Sequence, residues 1–286
     1  MDKSGSALPV LGKSQPSAEV PDPRVAFNAA HHGPRERAAV TATRGRRGAC
    51  QNGRMARVLV VQNSPSSGLR RFGEWWREDG LELDVRHGAD GLPQTLDGYD
   101  ALVLLGGGYL PSDDGRAPWL PAERALTGEA LDAAIPVLGI CLGGQLLASV
   151  AGGAVEGRHG RPERGSTTIE ATDASAGDAL FAGIPRQISM IENHEDSITA
   201  LPAGAVLLAS SADHPNQAFR VGGSAWGLQF HPEVGAADLA AWKEAALAAD
   251  GLDLAAVRAA ANEAEPAAAS VARVLAANFA TAVTAR

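Results

Sequence analysis

The chain has 286 residues, 45% hydrophobic and 20% charged, with a formal net charge of -8. That length holds one large or two small domains of ordinary soluble composition. The negative charge and an aromatic content of 5% argue against nucleic acid as the main partner, and no apolar run approaches the roughly 20 residues of a membrane helix.

Residues 1–54 read as a disordered basic leader, rich in Pro, Gly, Ser and Arg and without sustained apolar periodicity. It carries nine Lys and Arg against four Asp and Glu, a balance of +5 that leaves -13 for the remainder. No apolar core of signal-peptide length follows its basic start, so export is not expected. His31 and His32 have no companions at ligand spacing, and no metal site is expected there. The fold is expected to begin at Met55, with a domain over 55–234 and a helical extension over 235–286 packed on it.

Arg57–Gln62 reads as a buried strand, and Leu69, Phe72, Trp75 and Trp76 then recur at helical spacing. Leu81–Val85 and Ala101–Leu105 read as further strands, and the glycines 106–108 follow. A dinucleotide-binding reading fails on spacing, because the third glycine of G-x-G-x-x-G falls on Pro111. Backbone exposure is the better role: without β-carbons, Gly107 and Gly108 let their amides approach a ligand. Asp113 and Asp114 read as a polar turn, and residues 121–134 as a helix. Strands alternating with helices in this way predict an α/β fold, an open and mostly parallel sheet with helices on both faces.

Next comes Val-Leu-Gly-Ile-Cys-Leu-Gly-Gly-Gln, residues 137–145. A short apolar run ends on Cys141, with Gly139 and Gly143 two positions to either side, and a helix follows. This is the pattern of a nucleophile elbow, a strained strand-to-helix turn that lifts a side chain above the sheet beside a helix N-terminus, where a thiolate is favoured. A buried structural cysteine is the plain alternative. Cys50, the other cysteine, lies in unlike surroundings, so no disulfide framework is expected and a reducing cytoplasm suits the thiol.

From Gly152 the pattern turns β-rich. Arg164-Gly165 reads as a turn before the strand Ser166–Ile169, Ile188–Ile191 as a strand leading into a polar loop, and His214 as a loop residue. Gln229 and His231 alternate with Leu228 and Phe230 at the period of a strand. In an extended chain His231 and Glu233 share a face, the base and orienter of a triad, while Pro232 marks the strand's end. Leu239, Trp242 and Ala246 suggest one helix. A last helix is expected to start near Pro266, a favoured first helical residue, with Val271, Val274, Leu275, Asn278 and Phe279 on one face.

The motifs GICLGGQ and LQFHPE together resemble the two signatures of class I glutamine amidotransferases of the Cys-His-Glu type, from about Met55 onward. GMP synthase glutaminase domains and their stand-alone relatives are the nearest in kind. The resemblance implies a flavodoxin-like fold and hydrolysis of the glutamine side-chain amide through a cysteinyl thioester, with Cys141, His231 and Glu233 catalytic. It places Gly107, Gly108 and Leu142 at an oxyanion hole. Gln145, one helical turn beyond Cys141, would bond to the substrate, and His194, Glu195 and Asp196 would line its pocket, Asp196 as counter-charge to the ammonium. Pro162-Glu163 resembles a family segment, with Ser166 where an aromatic is usual. No cofactor or metal is expected. L-glutamine is the implied substrate and an ammonia-accepting synthetase on a separate chain the implied partner, with no nucleic acid or membrane. Two alternatives stay open: a γ-glutamyl hydrolase using the same triad, and a regulatory module that binds without turnover.

Overall fold

The computed structural model describes residues 54–285, so the leader expected over 1–54 lies, apart from Arg54, outside the described residues. Among the described residues, eleven strands and five α-helices follow in the order β1 (Ala56–Gln62), α1 (Arg70–Glu78), β2 (Leu81–His87), β3 (Ala101–Leu104), α2 (Leu120–Asp132), β4 (Val137–Ile140), α3 (Leu142–Val150), β5 (Ala154–Glu156), β6 (Glu163–Ala171), β7 (Gln187–His194), β8 (Ser197–Ala200), β9 (Val206–Ser210), β10 (Ala218–Val221), β11 (Ala225–Leu228), α4 (Glu244–Ala248) and α5 (Leu254–Thr284).

Nine strands form one sheet in the order β2-β1-β3-β4-β11-β10-β9-β6-β7, and β5 pairs with β8. The first five run parallel, and the pairs from β11 to β7 are antiparallel. Only β10 and β6 therefore oppose the general direction, so the sheet is mostly parallel, as expected. The antiparallel half curls: Ile191 of β7 forms an isolated bridge with His231, just beyond β11.

Strand alternation decides which helix covers which face. Val58 and Val60 of β1 pack with Phe72 and Trp76 of α1 and with Leu275 and Phe279 of α5. Leu59 and Val61 turn to the opposite face, toward Leu120 and Leu126 of α2 and Leu142 and Leu146 of α3. Helices on both faces follow directly.

Several local expectations are corrected. Arg164 and Gly165 lie within β6, paired with Asn193 and Glu192, and not in a turn. Gly165 has φ 81°, and a β-carbon there would sit 2.6 Å from Val257 Cγ1, so the glycine lets α5 cross the strand. The helix expected through Leu239, Trp242 and Ala246 is two pieces, a 3-10 turn over Ala236–Ala241 and α4, because Trp242 and Lys243 are extended. This break lets Leu239, Trp242 and Leu247 fill one small core with Ala261.

Pro266 does not start the last helix but lies inside α5, which begins twelve residues earlier where the Asp253 carboxylate caps the amide of Ala256 at 2.7 Å. The hydrogen bond that proline removes falls on the carbonyl of Asn262, an exposed residue. At 31 residues, with a mean hydropathy of 1.3 over an 18-residue window, α5 is long and apolar enough to cross a membrane by length and composition, contrary to the sequence-based expectation. Alanine supplies much of that hydropathy, and Val271, Leu275, Phe279 and Val283 are buried against the sheet and α1. Trp76 Nε1 donates to Ala276 O at 3.0 Å, and Arg273 forms a two-point ion pair with Asp79. The C-terminal part of α5 thus shares the main core.

Candidate active site

Cys141 stands at the junction of β4 and α3 with φ 52° and ψ -110°, a strained conformation for a residue with a side chain. The flanking glycines make the turn possible. A β-carbon on Gly139 would lie 2.4 Å from Gly143 O, and one on Gly143 would lie 2.1 Å from Leu104 O. The Cys141 amide donates to Leu228 O of β11 at 2.8 Å, which ties the elbow to the chain that leads to His231.

That chain differs from the expected strand. β11 ends at Leu228, and His231 is held by its bridge to β7, its amide donating to Ile191 O at 2.8 Å. Pro232 and Glu233 lie in a turn closed by Val234 N donating to His231 O. The pairing survives this change: His231 Nδ1 donates to Glu233 Oε1 at 2.8 Å, with both residues buried. Burial alone would lower the pKa of His231. The charge of Glu233 and the Cys141 thiol outweigh it and hold the imidazole well above the ordinary histidine value. A β-carbon on Gly106 would lie 3.2 Å from His231 Cε1 and 3.6 Å from Cys141 Cβ, so the glycine loop, thiol and imidazole converge.

Gly107 meets the start of α3 in the same way, since its β-carbon would lie 2.9 Å from Leu142 Cδ2 and 2.8 Å from Asn63 Cβ. Behind this loop, buried Asn63 donates to Leu105 O and Glu123 Oε1, both at 3.0 Å, and accepts from Trp119 Nε1 at 2.7 Å. Burial raises Glu123 to about 8, so this carboxyl is protonated at neutral pH.

Two cavities meet at Cys141, Gly107, Gly108 and Asn193. The smaller, about 380 Å³, is walled by Gln145, Arg164, His194, Glu195 and Asp196, which the sequence scatters over some fifty positions. Arg164 offers a positive group and Glu195 and Asp196 negative ones, the complement of an α-amino acid zwitterion. Sequence reasoning did not give Arg164 this place. Gln145 is buried, and its amide donates to Asp196 O at 3.1 Å and Gln229 Oε1 at 3.2 Å, so its NH₂ braces the wall. His194 turns its ring inward, Nε2 donating to Glu163 Oε2 and Nδ1 meeting Asp196 O, both at 3.0 Å. The larger cavity, about 650 Å³, contains His231, Glu233, Arg70, Tyr109 and the 64–68 turn.

His214, expected in a loop, is buried 4.8 Å (ring centroid to centroid) from His194. Glu163, His194 and His214 are by residue type a set that could ligate a metal. Protein groups meet all four imidazole nitrogens, those of His214 being Ser197 Oγ at 2.9 Å and Arg161 O at 2.7 Å. Burial would raise Glu163, but His194 and Ser211 hydrogen bonds hold its carboxyl below the usual range. Glu192, 3.5 Å from His194, is pushed well above that range by burial and then by the charge of Glu163.

Arg71 is a further residue that sequence reasoning missed. Its Nε and Nη2 donate to Pro232 O and Val234 O, both at 2.8 Å, and Nη1 pairs with Glu265 of α5 at 3.0 Å. It clamps the turn that carries His231 and Glu233.

A sulfur on a strained elbow, an imidazole oriented by a carboxylate and a zwitterion-shaped pocket define an acyl-transfer site of the cysteine type. Residues 75–239 match the family model of class-I glutamine amidotransferases, and the chain belongs to that family. It is 39% identical over 144 residues to a glutamine-hydrolyzing GMP synthase of Porphyromonas gingivalis, covering 50% of this chain and 26% of that one. To a protein of Saccharolobus solfataricus named as one subunit of a glutamine-hydrolyzing GMP synthase it is 36% identical over 146 residues, 49% of this chain and 71% of that one. The crystal structure of a glutamine amidotransferase from Thermotoga maritima superimposes with a TM-score of 0.71 at 30% identity, over 81% of this chain and 99% of that one. The chain spans about a quarter of the length of the full-length GMP synthases it matches.

Proposed function

We propose that this amidotransferase hydrolyses the side-chain amide of L-glutamine and delivers the ammonia to a synthetase on a separate chain. The carrying observation is the convergence of the Cys141 elbow, the Glu233-braced His231 and the glycine loop at the mouth of a pocket with both charges of an amino acid. Glutamine binds with its carboxylate toward Arg164 and its ammonium toward Glu195 and Asp196. Its carboxamide then lies by Cys141.

The Cys141 proton passes to His231, and the sulfur attacks the carboxamide carbon. The amides of Leu142 and of Gly107 or Gly108 hold the oxyanion, each such donor worth about 3 kcal/mol. The C–N bond breaks as His231 returns the proton to the nitrogen, and ammonia leaves. Water activated by the imidazole cleaves the thioester to glutamate. General acid-base help of this kind supplies about 10²–10⁴-fold. A thiol nucleophile works in a reducing compartment such as the cytoplasm.

The Saccharolobus solfataricus relative, named as one part of a divided enzyme, supports a partner chain as acceptor. Ammonia release from glutamine by the wild type and Cys141→Ala is the test. A fall of at least about 10⁴-fold is expected, and equal rates reject the nucleophile.

A further inference from the structure

Arg164 reaches the pocket from β6, but the group that fixes its guanidinium comes from the C-terminal segment. Nε donates to Asp250 Oδ2 at 3.0 Å, and among the described residues no other hydrogen bond holds this side chain. Nη2 stands 3.8 Å from Glu195 Oε2. Two carboxylates therefore compete for one guanidinium, and the outcome decides what the pocket can bind. With Nε on Asp250, the Nη nitrogens remain for a ligand carboxylate and Glu195 for an ammonium. Arg164 closed on Glu195 would instead cancel both charges that a zwitterion requires. The other ion-pair partner of Glu195, Arg158 at 3.5 Å, is 71% exposed and screened by solvent.

Asp250 is fixed well enough to win that competition. α4 has only five residues, too few to persist alone, and its end is closed by backbone. Gly251, at φ 73°, donates to Ala248 O at 3.1 Å, and Leu252 donates to Leu247 O at 3.0 Å. Leu247 and Leu252 anchor this turn in the small core that holds Ile191 and Val234. Ile191 is bridged to His231, and Val234 adjoins Glu233, so the same core supports the catalytic turn. On the other flank Val257 of α5 closes on Gly165, the neighbour of Arg164. With side chains 12% and 21% exposed, the Arg164–Asp250 pair is better shielded than a surface ion pair. Asp250 itself lines neither cavity.

We propose that Asp250 is a positioning residue for Arg164, through which the C-terminal segment sets the requirement for a free α-carboxylate on the substrate. The inference rests on the glutaminase reading above, in which Arg164 receives that carboxylate. Asp250 touches no substrate. It keeps the guanidinium off Glu195 and open to the ligand.

The test follows glutamate formed from L-glutamine and isoglutamine formed from the glutamine α-amide, which lacks the carboxylate charge. The full chain is compared with Arg164→Ala, Asp250→Ala, Asp250→Asn and the Arg164→Ala/Asp250→Ala double variant. Wild type is expected to favour glutamine by roughly 10–100-fold in kcat/KM, the scale of a charged hydrogen bond. In Asp250→Ala the preference falls to the level of Arg164→Ala, through the KM for glutamine more than through kcat. Asp250→Asn, whose amide oxygen still accepts from Nε, keeps part of it. Because Asp250 acts through Arg164, the double variant shows no further fall in the ratio. The ratio is read within each variant, so a loss of folded protein lowers both rates and leaves it unmoved. Full preference in Asp250→Ala, with Arg164→Ala having lost it, overturns the inference and leaves the glutaminase reading standing. A preference that survives Arg164→Ala, or is absent from wild type, overturns the placing of the carboxylate and the inference with it. Turnover of neither substrate by wild type overturns the glutaminase reading itself.

Discussion

In the half of the sheet from β2 to β11, the working parts are backbone: a left-handed cysteine, two glycines too close for β-carbons and a glycine loop beneath His231. In the half from β10 to β7, they are side chains: Glu163, Glu192, His194 and Gln217 buried within the curl, and Arg164, Glu195 and Asp196 facing the pocket. The first half is rigid because its parallel strands are covered on both faces, and it can hold a strained nucleophile. The second sets charged side chains around the pocket, which in the proposed function recognise the substrate. His231 joins them, continuing from β11 and bridged to β7. Each half also buries one acid that burial pushes up, Glu123 behind the glycine loop to about 8 and Glu192 beside His194 well above the ordinary carboxylate range.

If the backbone carries the chemistry in the first half, Gly107→Ala has the largest effect. Its β-carbon would press on Asn63 and Leu142 and shift an oxyanion donor, lowering kcat by about 10²–10³-fold. Gly115→Ala, which meets nothing within 4 Å, is the matched control. Equal kcat in the two variants would break the contrast.

Arg71→Ala probes the junction. It strips the donors from Pro232 O and Val234 O and loosens the turn of His231 and Glu233. A loss of about 2–4 kcal/mol in denaturant unfolding, with a fall in kcat, is expected. A stability change within about 0.5 kcal/mol would show that the turn holds itself.

The effect that is smallest per pH unit sharpens the account of the buried acids. Glu123 stands at about 8 when folded against 4.5 in an unperturbed chain. The folded state therefore binds the extra proton, and stability falls as pH rises between those values. Glu123→Gln removes this contribution, so its stability relative to wild type should climb by up to about 1.4 kcal/mol per pH unit over that window. Parallel urea midpoints for the two proteins at pH 5, 6.5 and 8 would contradict it.

The two halves also differed in legibility. The elbow could be read because a backbone demand leaves a local trace, glycines at fixed offsets from Cys141. His231 and Glu233 could be read as a pair, but their turn geometry could not, because the bridge that holds them comes from β7, some forty residues earlier. Arg71 and Arg164 left no local signal, since their partners Glu265 and Asp250 are 194 and 86 residues away. Pro266 misled for the opposite reason. Its local preference for a helix start is real, but packing of α5 against α1 and the sheet outweighed one lost hydrogen bond.

The central claim is that Cys141 attacks a carbonyl held in the zwitterion pocket, and an electrophilic glutamine analogue tests it most directly. Incubation with such a chloroketone, followed by intact mass and peptide mapping, should give one adduct, on Cys141, with Cys50 unmodified and protection by excess glutamine. An unlabelled Cys141, or labelling of both cysteines that glutamine does not slow, would contradict the account.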